Sequence, residues 1–306
     1  MSLSLNKFFA VKPSLMAGIA IGRNQLCAAV VDPKKSRNNV QGITRHILSG
    51  ALFEGQPSAA IEAELAAALQ AISVDFRAKF ASVHVALPDT VIRSTVFEFD
   101  ELPKEAEMRD SLLRWRFSRE WQRPEDSLEC RGFDLGSDLG KRLLFAQAGD
   151  KAWIDCIRRA LTRADISPWS LNSASSYRFN HFHNVLTVGE GALLSLDSDC
   201  WNLLVWDHAA RIRRVFTRLR DKSSVEDEMN MIIDETERAI HGNMRKAAGK
   251  VYLAGDAAET DLLAKQLEQR LQMQVVSLCI DTEKTENIAG TKEGMAPLAI
   301  AAALNI

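Results

Sequence analysis

The chain has 306 residues, 46% hydrophobic and 25% charged, which suits an ordinary globular protein with room for two domains. A net charge of −2 excludes a global electrostatic pull toward nucleic acid or an anionic membrane. The five cysteines (Cys27, Cys130, Cys156, Cys200, Cys279) contain no CxxC pair, which argues against a zinc site or a disulfide framework and fits a reducing cytoplasm.

Residues 17–32 (AGIAIGRNQLCAAVVD) read as a strand, a tight polar turn and a returning strand, with Gly22-Arg23-Asn24-Gln25 as the turn. A connector with Lys34, Lys35 and Arg37 reads as a solvated turn. Residues 40–52 continue as strand. Residues 58–72 form an alanine-rich helix with Ile61, Leu65, Ala68 and Ile72 on one face and Glu62 in its first turn. Residues 82–87 are a short strand whose His84 reads as a satisfied sheet histidine, and residues 91–99 alternate as a second strand.

The most distinctive helix is expected over 102–122. Met108, Leu112 and Trp115 make one apolar row, and Leu113, Phe117 and Trp121 another, with arginines 109, 116, 119 and 123 on the remaining surface. Two rows mean a widely buried helix or one that offers a row to a partner. A strand at 142–148 and an amphipathic helix at 150–163 follow. His181 and His183 have no metal spacing and read as structural.

Residues 193–207 (LLSLDSDCWNLLVWD) repeat the plan of the first hairpin. With Gly18 set on Leu193, Ile21 falls on Leu196, Val30 on Val205 and Asp32 on Asp207, and the turn 22–25 falls on 197–200. A shared hairpin in two distant halves suggests a duplicated architecture with a cleft between the halves. An extended, arginine-rich segment at 210–219 comes next, then a helix at 223–240 with a serine cap. A strand at 250–254 runs into Gly255-Asp256. A helix at 260–271, a strand at 274–278 and an alanine-rich helix at 296–304 close the chain. That last stretch, residues 295–304, is the longest apolar run and falls far short of the roughly twenty residues needed to span a bilayer.

This order of elements resembles the actin-like ATPase fold, and within it the type IV pilus assembly protein PilM family, with its MshI branch from MSHA pili as one form the resemblance allows. The residues that carry the resemblance are Val85-Ala86-Leu87-Pro88-Asp89, Leu102-Pro103, the helix stop at Pro124, Gly132-Phe133-Asp134, Val251-Tyr252-Leu253-Ala254-Gly255 and the closing Met295-Ala296-Pro297-Leu298 helix. The resemblance implies an α/β, ribonuclease H-like duplicated two-domain fold: domain I at 1–186 with an inserted subdomain at about 82–148, domain II at 187–292, and a C-terminal helix at 293–306 returning to domain I.

It also implies a nucleotide site formed by Gly22, Asn24, Gln25, Ser195, Asp197, Ser198, Gly255 and Asp256. Each phosphate hairpin of this fold carries an aspartate followed two residues later by glycine, so that backbone N–H groups reach phosphate and the carboxylate holds Mg²⁺. Here Ala20 and Ser195 stand at the aspartate positions and Asp197 at the second glycine position. The expectation is therefore a degenerate, non-catalytic site with no resident metal, although ATP with Mg²⁺ stays open as a ligand. The implied function is a cytoplasmic scaffold at the inner membrane that binds the N-terminal tail of a PilN-like protein in a groove of domain I and connects it to motor ATPases. Neither nucleic acid binding nor membrane insertion is expected. Val91, Arg93, Trp115 and Arg119 are the candidate partner residues, through strand pairing at 91–99 and the tryptophan-bearing helix. Two alternatives remain: an active or nucleotide-gated actin-like ATP-binding protein, and a GspL-like cytoplasmic domain of type II secretion.

Overall fold

The computed structural model describes residues 15–32, 40–76, 82–186, 189–197, 199–220, 224–243, 249–255, 257–278 and 295–304. The first hairpin is β1 (Met16–Ile21) and β2 (Gln25–Val31), followed by β3 (Val40–Ile47), α1 (Ala59–Phe76) and β4 (Ser82–Leu87). β8 (Ser170–Ser173) completes a five-stranded sheet in the order β3-β2-β1-β4-β8. β1 and β2 are sealed on both faces, which explains their run of small and branched apolar residues. Ala17, Ile19 and Ile21 enter the core beneath α1 and α3 (Lys151–Arg163), where Leu65, Leu69 and Ile157 meet them. Met16 and Ala20 face the other way, onto α8 (Ala296–Ala303).

That second face is built for close approach. A Cβ on Gly18 would run into the backbone carbonyl of Ala299 and the backbone nitrogen of Ala303. Ala20, Cys27, Ala29 and Ala86 line the sheet side, and Ala299, Ala301, Ala302 and Ala303 line the helix side. Small residues on both surfaces let helix and strand backbones nearly touch.

The inserted unit consists of β5 (Ile92–Phe99), α2 (Ala106–Trp121), β6 (Leu128–Asp138) and β7 (Lys141–Asp150), with the sheet ordered β5-β7-β6. Its start differs from the expectation of about residue 82. β4 belongs to the first sheet, paired in parallel with β1 and β8, so the unit begins only after Pro88-Asp89. The helix is also shorter than expected. Leu102-Pro103 lie before it, and Gln122 ends it in the left-handed region at φ 53°. Leu113 and Phe117 are buried against Phe97, Leu144 and Ala146, whereas Met108 and Trp115 are 55% and 42% exposed. One of the two apolar rows is core and the other is surface.

No strand was expected at β6, where Gly132-Phe133-Asp134 entered only as part of the resemblance. It is an edge strand in which Gly132 interrupts the alternation, and a Cβ there would strike Leu113 and Leu144. α3 then starts from Asp150, whose carboxylate accepts the backbone N–H groups of Ala152 and Trp153 at 3.0 and 3.4 Å.

After the short helices α4 (Ala174–His181) and α5 (His183–Leu186), the plan of the first sheet repeats. β9 (Gly191–Leu196), β10 (Cys200–Trp206), β11 (Ile212–Leu219), β12 (Lys250–Ala254) and β13 (Gln274–Leu278) are ordered β11-β10-β9-β12-β13. The first three strands are antiparallel and the last two parallel, as in the first sheet. α6 (Val225–Asn243) and α7 (Ala257–Leu271) cover one face. On the other face Leu193, Trp206 and Tyr252 meet Phe179 and Phe182 of the α4–α5 region and Val96 and Phe145 of the inserted sheet. The halves thus share an apolar seam. No helix among the described residues is long and apolar enough to cross a membrane.

Candidate functional site

The two hairpins turn in the same way. Ile21 opposes Leu26 and Leu196 opposes Trp201, an offset that matches the sequence alignment of the two stretches. The Gly22 N–H donates to the Gln25 carbonyl at 2.8 Å, and the Asp197 N–H donates to the Cys200 carbonyl at 2.9 Å. In each turn the backbone is tied to itself.

What surrounds the turns sets their chemistry. Gly22 has no side chain because the Met295 sulfur lies where a Cβ would project. Ala20, at a carboxylate position of the resemblance, is fully buried beneath α8. The Asn24 carbonyl accepts the Leu48 N–H at 2.9 Å while its side chain faces solvent. Gln25 is half-buried, and its Oε1 has no hydrogen-bond partner among the described residues. In the second half Ser195 is fully buried and its Oγ likewise lacks a partner among the described residues. Ser195 pairs in register with Ala254, and Gly255 packs so closely on Leu196 that a Cβ would sit 2.9 Å from the Leu196 carbonyl oxygen. The fold therefore gathers Ser195, Asp197 and Gly255 at one end of the second sheet, and Gly22, Asn24 and Gln25 at the first turn. Ser198 and Asp256 lie outside the described residues.

Asp197 does not stand open to the cleft. Arg178 of α4 grips it in a bidentate pair, with Nη1 to Oδ2 at 2.9 Å and Nη2 to Oδ1 at 2.5 Å. The side chains are 11% and 25% exposed, so the pair is held largely away from water. Arg220 adds a bond from Nη1 to the Asp197 carbonyl at 3.2 Å and anchors itself on Glu228. Beside this pair lies Asp89, fully buried just past β4, accepting the Ser175 N–H at 3.1 Å and the Ser175 Oγ–H at 2.5 Å. Burial, reinforced by the negative charge of Asp197, pushes Asp89 up to about 7 against the pull of Ser175 and Arg178. Burial opposes the Arg178 charge, but Asp197 and Asp89 outweigh it and raise the guanidinium pKa. Burial likewise drives the Cys200 thiol well above its ordinary value, so it is no nucleophile.

A Mg-nucleotide needs a carboxylate open to the metal and backbone amides open to phosphate. Ala20 supplies no carboxylate, both Asp197 oxygens are engaged by Arg178, and Met295 covers Gly22. These residues do not fit that group. Of the residues that fill this site, Asp89 figures in the sequence only as the end of the Val85–Asp89 stretch that carries the resemblance, and Arg178 carries no signal there. The one signal was a carboxylate two residues past a buried strand.

The partner candidates separate. Val91 is 5% exposed and belongs to the first core, with its N–H on the Pro88 carbonyl, so it is not a docking residue. Trp115 and Arg119 stack on each other on the outer face of α2, the guanidinium 5.4 Å from the ring centre. Arg93 instead lies over Trp121 at 5.2 Å and lines a groove of about 460 Å³ between β5, the end of α2 and β11. A smaller concavity next to β8 is lined by Ile92, Arg131, Gln147, Gly149 and Leu171. Trp169, 79% exposed, stands at the start of that edge strand, its N–H on the Val83 carbonyl at 2.7 Å.

No protein-family model matches the sequence, and no curated protein matches it either. Solved structures do. The structure of a PilM-PilN type IV pilus biogenesis complex matches with a TM-score of 0.71 at 13% identity, over 94% of this chain and 97% of that one. A Bacteroides thetaiotaomicron protein with an actin-like ATPase fold and unknown function matches at 0.56 and 11% identity, over 98% and 99% of the two chains. The chain has the actin-like ATPase fold. The cytoplasmic domain of EpsL, an inner-membrane component of the type II secretion system of Vibrio cholerae, shares this fold at 0.50 and 10% identity, over 79% of this chain and 82% of that one. Within the actin-like fold, the hairpins β1–β2 and β9–β10 are the duplicated pair, and α4 and α8 are the helices lying between the halves and against the first sheet.

Proposed function

We propose that this actin-like chain is a non-catalytic scaffold of a type IV, MSHA-like pilus assembly machine. It works at the cytoplasmic face of the inner membrane and captures the N-terminal tail of a PilN-like protein. In doing so it links the membrane subassembly to the motor ATPases. The observation that carries the non-catalytic reading is the Arg178–Asp197 pair: a guanidinium of the protein itself engages the carboxylate of the second phosphate hairpin. The likeness to a PilM-PilN complex over nearly the whole chain supports the choice of machine.

The tail's seat in this reading is the edge of β8. An extended peptide gains main-chain hydrogen bonds at an unpaired sheet edge and specificity from neighbouring pockets. Exposed Trp169 and the concavity bounded by Ile92, Arg131 and Leu171 offer both beside one strand.

Isothermal titration calorimetry tests both parts. Mg-ATP should give no heat up to millimolar concentration, and micromolar binding would sink the degenerate-site reading. Tail peptides of PilN-like proteins should bind, and Trp169→Ala or Arg131→Glu should weaken them at least tenfold. Full-strength binding to both variants would move the seat elsewhere.

A further inference from the structure

The groove between β5 and β11 belongs to neither the hairpin cleft nor the edge of β8. β5 is an outer strand of the inserted sheet and β11 an outer strand of the second sheet, so two sheet edges border one opening. The groove holds about 460 Å³, ample for several side chains of an extended segment.

Its walls are basic. Arg93, Arg213, Arg214 and Arg218 line it against a single carboxylate, Glu120. Arg213 is neutralised by Asp207 and Asp138, each at 2.7 Å. Burial presses the Arg93 pKa down and that of Glu120 up, and each opposes the other's shift, so these two opposite charges offset one another at the floor. Arg214 and Arg218 are different. They are exposed, sit four residues apart on one face of β11, and have no carboxylate partner among the described residues. Both lean on the Phe216 ring between them, at 5.3 and 5.6 Å, which fixes two positive charges at the groove.

The aromatic rings decide what kind of anion suits this place. A nucleotide base would stack on Trp121 or Phe216, but guanidinium groups already lie over both rings. Two charges four residues apart along an edge strand match carboxylates four residues apart on an extended chain, which project to the same side.

We propose that this groove docks an extended acidic segment of a partner protein, with carboxylates four residues apart pairing Arg214 and Arg218. The segment bridges the inserted unit and the second half, and docks independently of any tail at β8.

The test uses the full chain and a fluorescein-labelled peptide of alternating glutamate and threonine, read by anisotropy at moderate salt. A lysine–threonine peptide is the charge control. Circular dichroism melts check that the variants fold. The acidic peptide should bind, the basic one should not, and the double variant Arg214→Glu/Arg218→Glu should weaken binding at least tenfold. Arg109→Glu/Arg119→Glu, on α2, should leave it within twofold. Hydrogen exchange should show new protection in β5 and β11 and none in β8. Absence of binding, equal loss in the two double variants, protection confined to β8, or displacement of the peptide by ATP or inorganic phosphate at equal concentration would each overturn the proposal.

Discussion

Three side chains between the halves illustrate how a site can be filled by its own protein. Arg178 and Asp197 satisfy each other, and removing one partner leaves the other charged and poorly solvated. Arg178→Ala should cost roughly 3 kcal/mol in urea denaturation. Arg178→Ala/Asp197→Ala should recover part of that loss, because no lone charge is left behind. Asp89 gives a pH signature. Its ordinary pKa is 3.8, and burial in the folded protein raises it to about 7. The folded state therefore holds the proton that the unfolded chain releases. The stabilisation is complete below about pH 4 and is lost as the pH rises through 7, a few kcal/mol in all. Asp89→Asn, which has no proton to lose, should flatten the fall in melting temperature between pH 4 and 7 relative to the parent. Equal slopes would mean that Asp89 ionises in the folded protein much as it does in the unfolded one.

At the scale of elements, α2 and β6 show what a sequence displays and what it hides. The two apolar rows of α2 are plain from spacing, yet nothing local says that Leu113 and Phe117 turn inward while Met108 and Trp115 turn outward. That choice is made by Phe97, Leu144 and Ala146, residues on two other strands. Phe117→Ala should remove about 3–5 kcal/mol and melt the inserted unit first, seen as loss of hydrogen-exchange protection in β5–β7 before the two large sheets. β6 was illegible because its glycine is a packing device: Gly132 admits Leu113 and Leu144, so the residue that weakens the strand pattern is the one that lets the helix sit down. The hairpins were legible for the opposite reason. Each is a local unit whose turn closes within four residues, so the register appears in the sequence itself.

For the whole molecule, the link between inserted unit and second half is electrostatic as well as apolar. Asp138, at the tip of β6, meets Arg211 and Arg213, and these return to Asp207. Backbone N–H groups of Ala209 and Arg211 also converge on Asp207 and hold its pKa below the usual value despite burial. Asp138→Ala should leave the fold intact but raise hydrogen exchange at the β6–β7 turn and along β11, with a slightly larger radius in small-angle scattering. Unchanged exchange would show that the apolar seam alone holds the units together. This bridge was out of reach for the sequence, as were the groove and the Arg178 pair, because each joins residues from separate elements. Even so, the alternation Arg214-Phe216-Arg218 was present as a one-face charge pattern.

The contact between β1 and α8 has a consequence for biosynthesis. The strand is among the first described residues to leave the ribosome, and the helix that covers Gly18 and Ala20 is the last. During translation of everything between them, the small-residue face of the first sheet has no lid. The first half can collapse on its α1 and α3 side as it emerges, but its second layer closes only once residues 296–303 have emerged. Emerging chains therefore pass through a half-covered sheet whose exposed alanines and branched residues are open to chaperones or to one another. Nascent chains stalled before residue 296 should be markedly more protease-sensitive across β1–β4 than released protein.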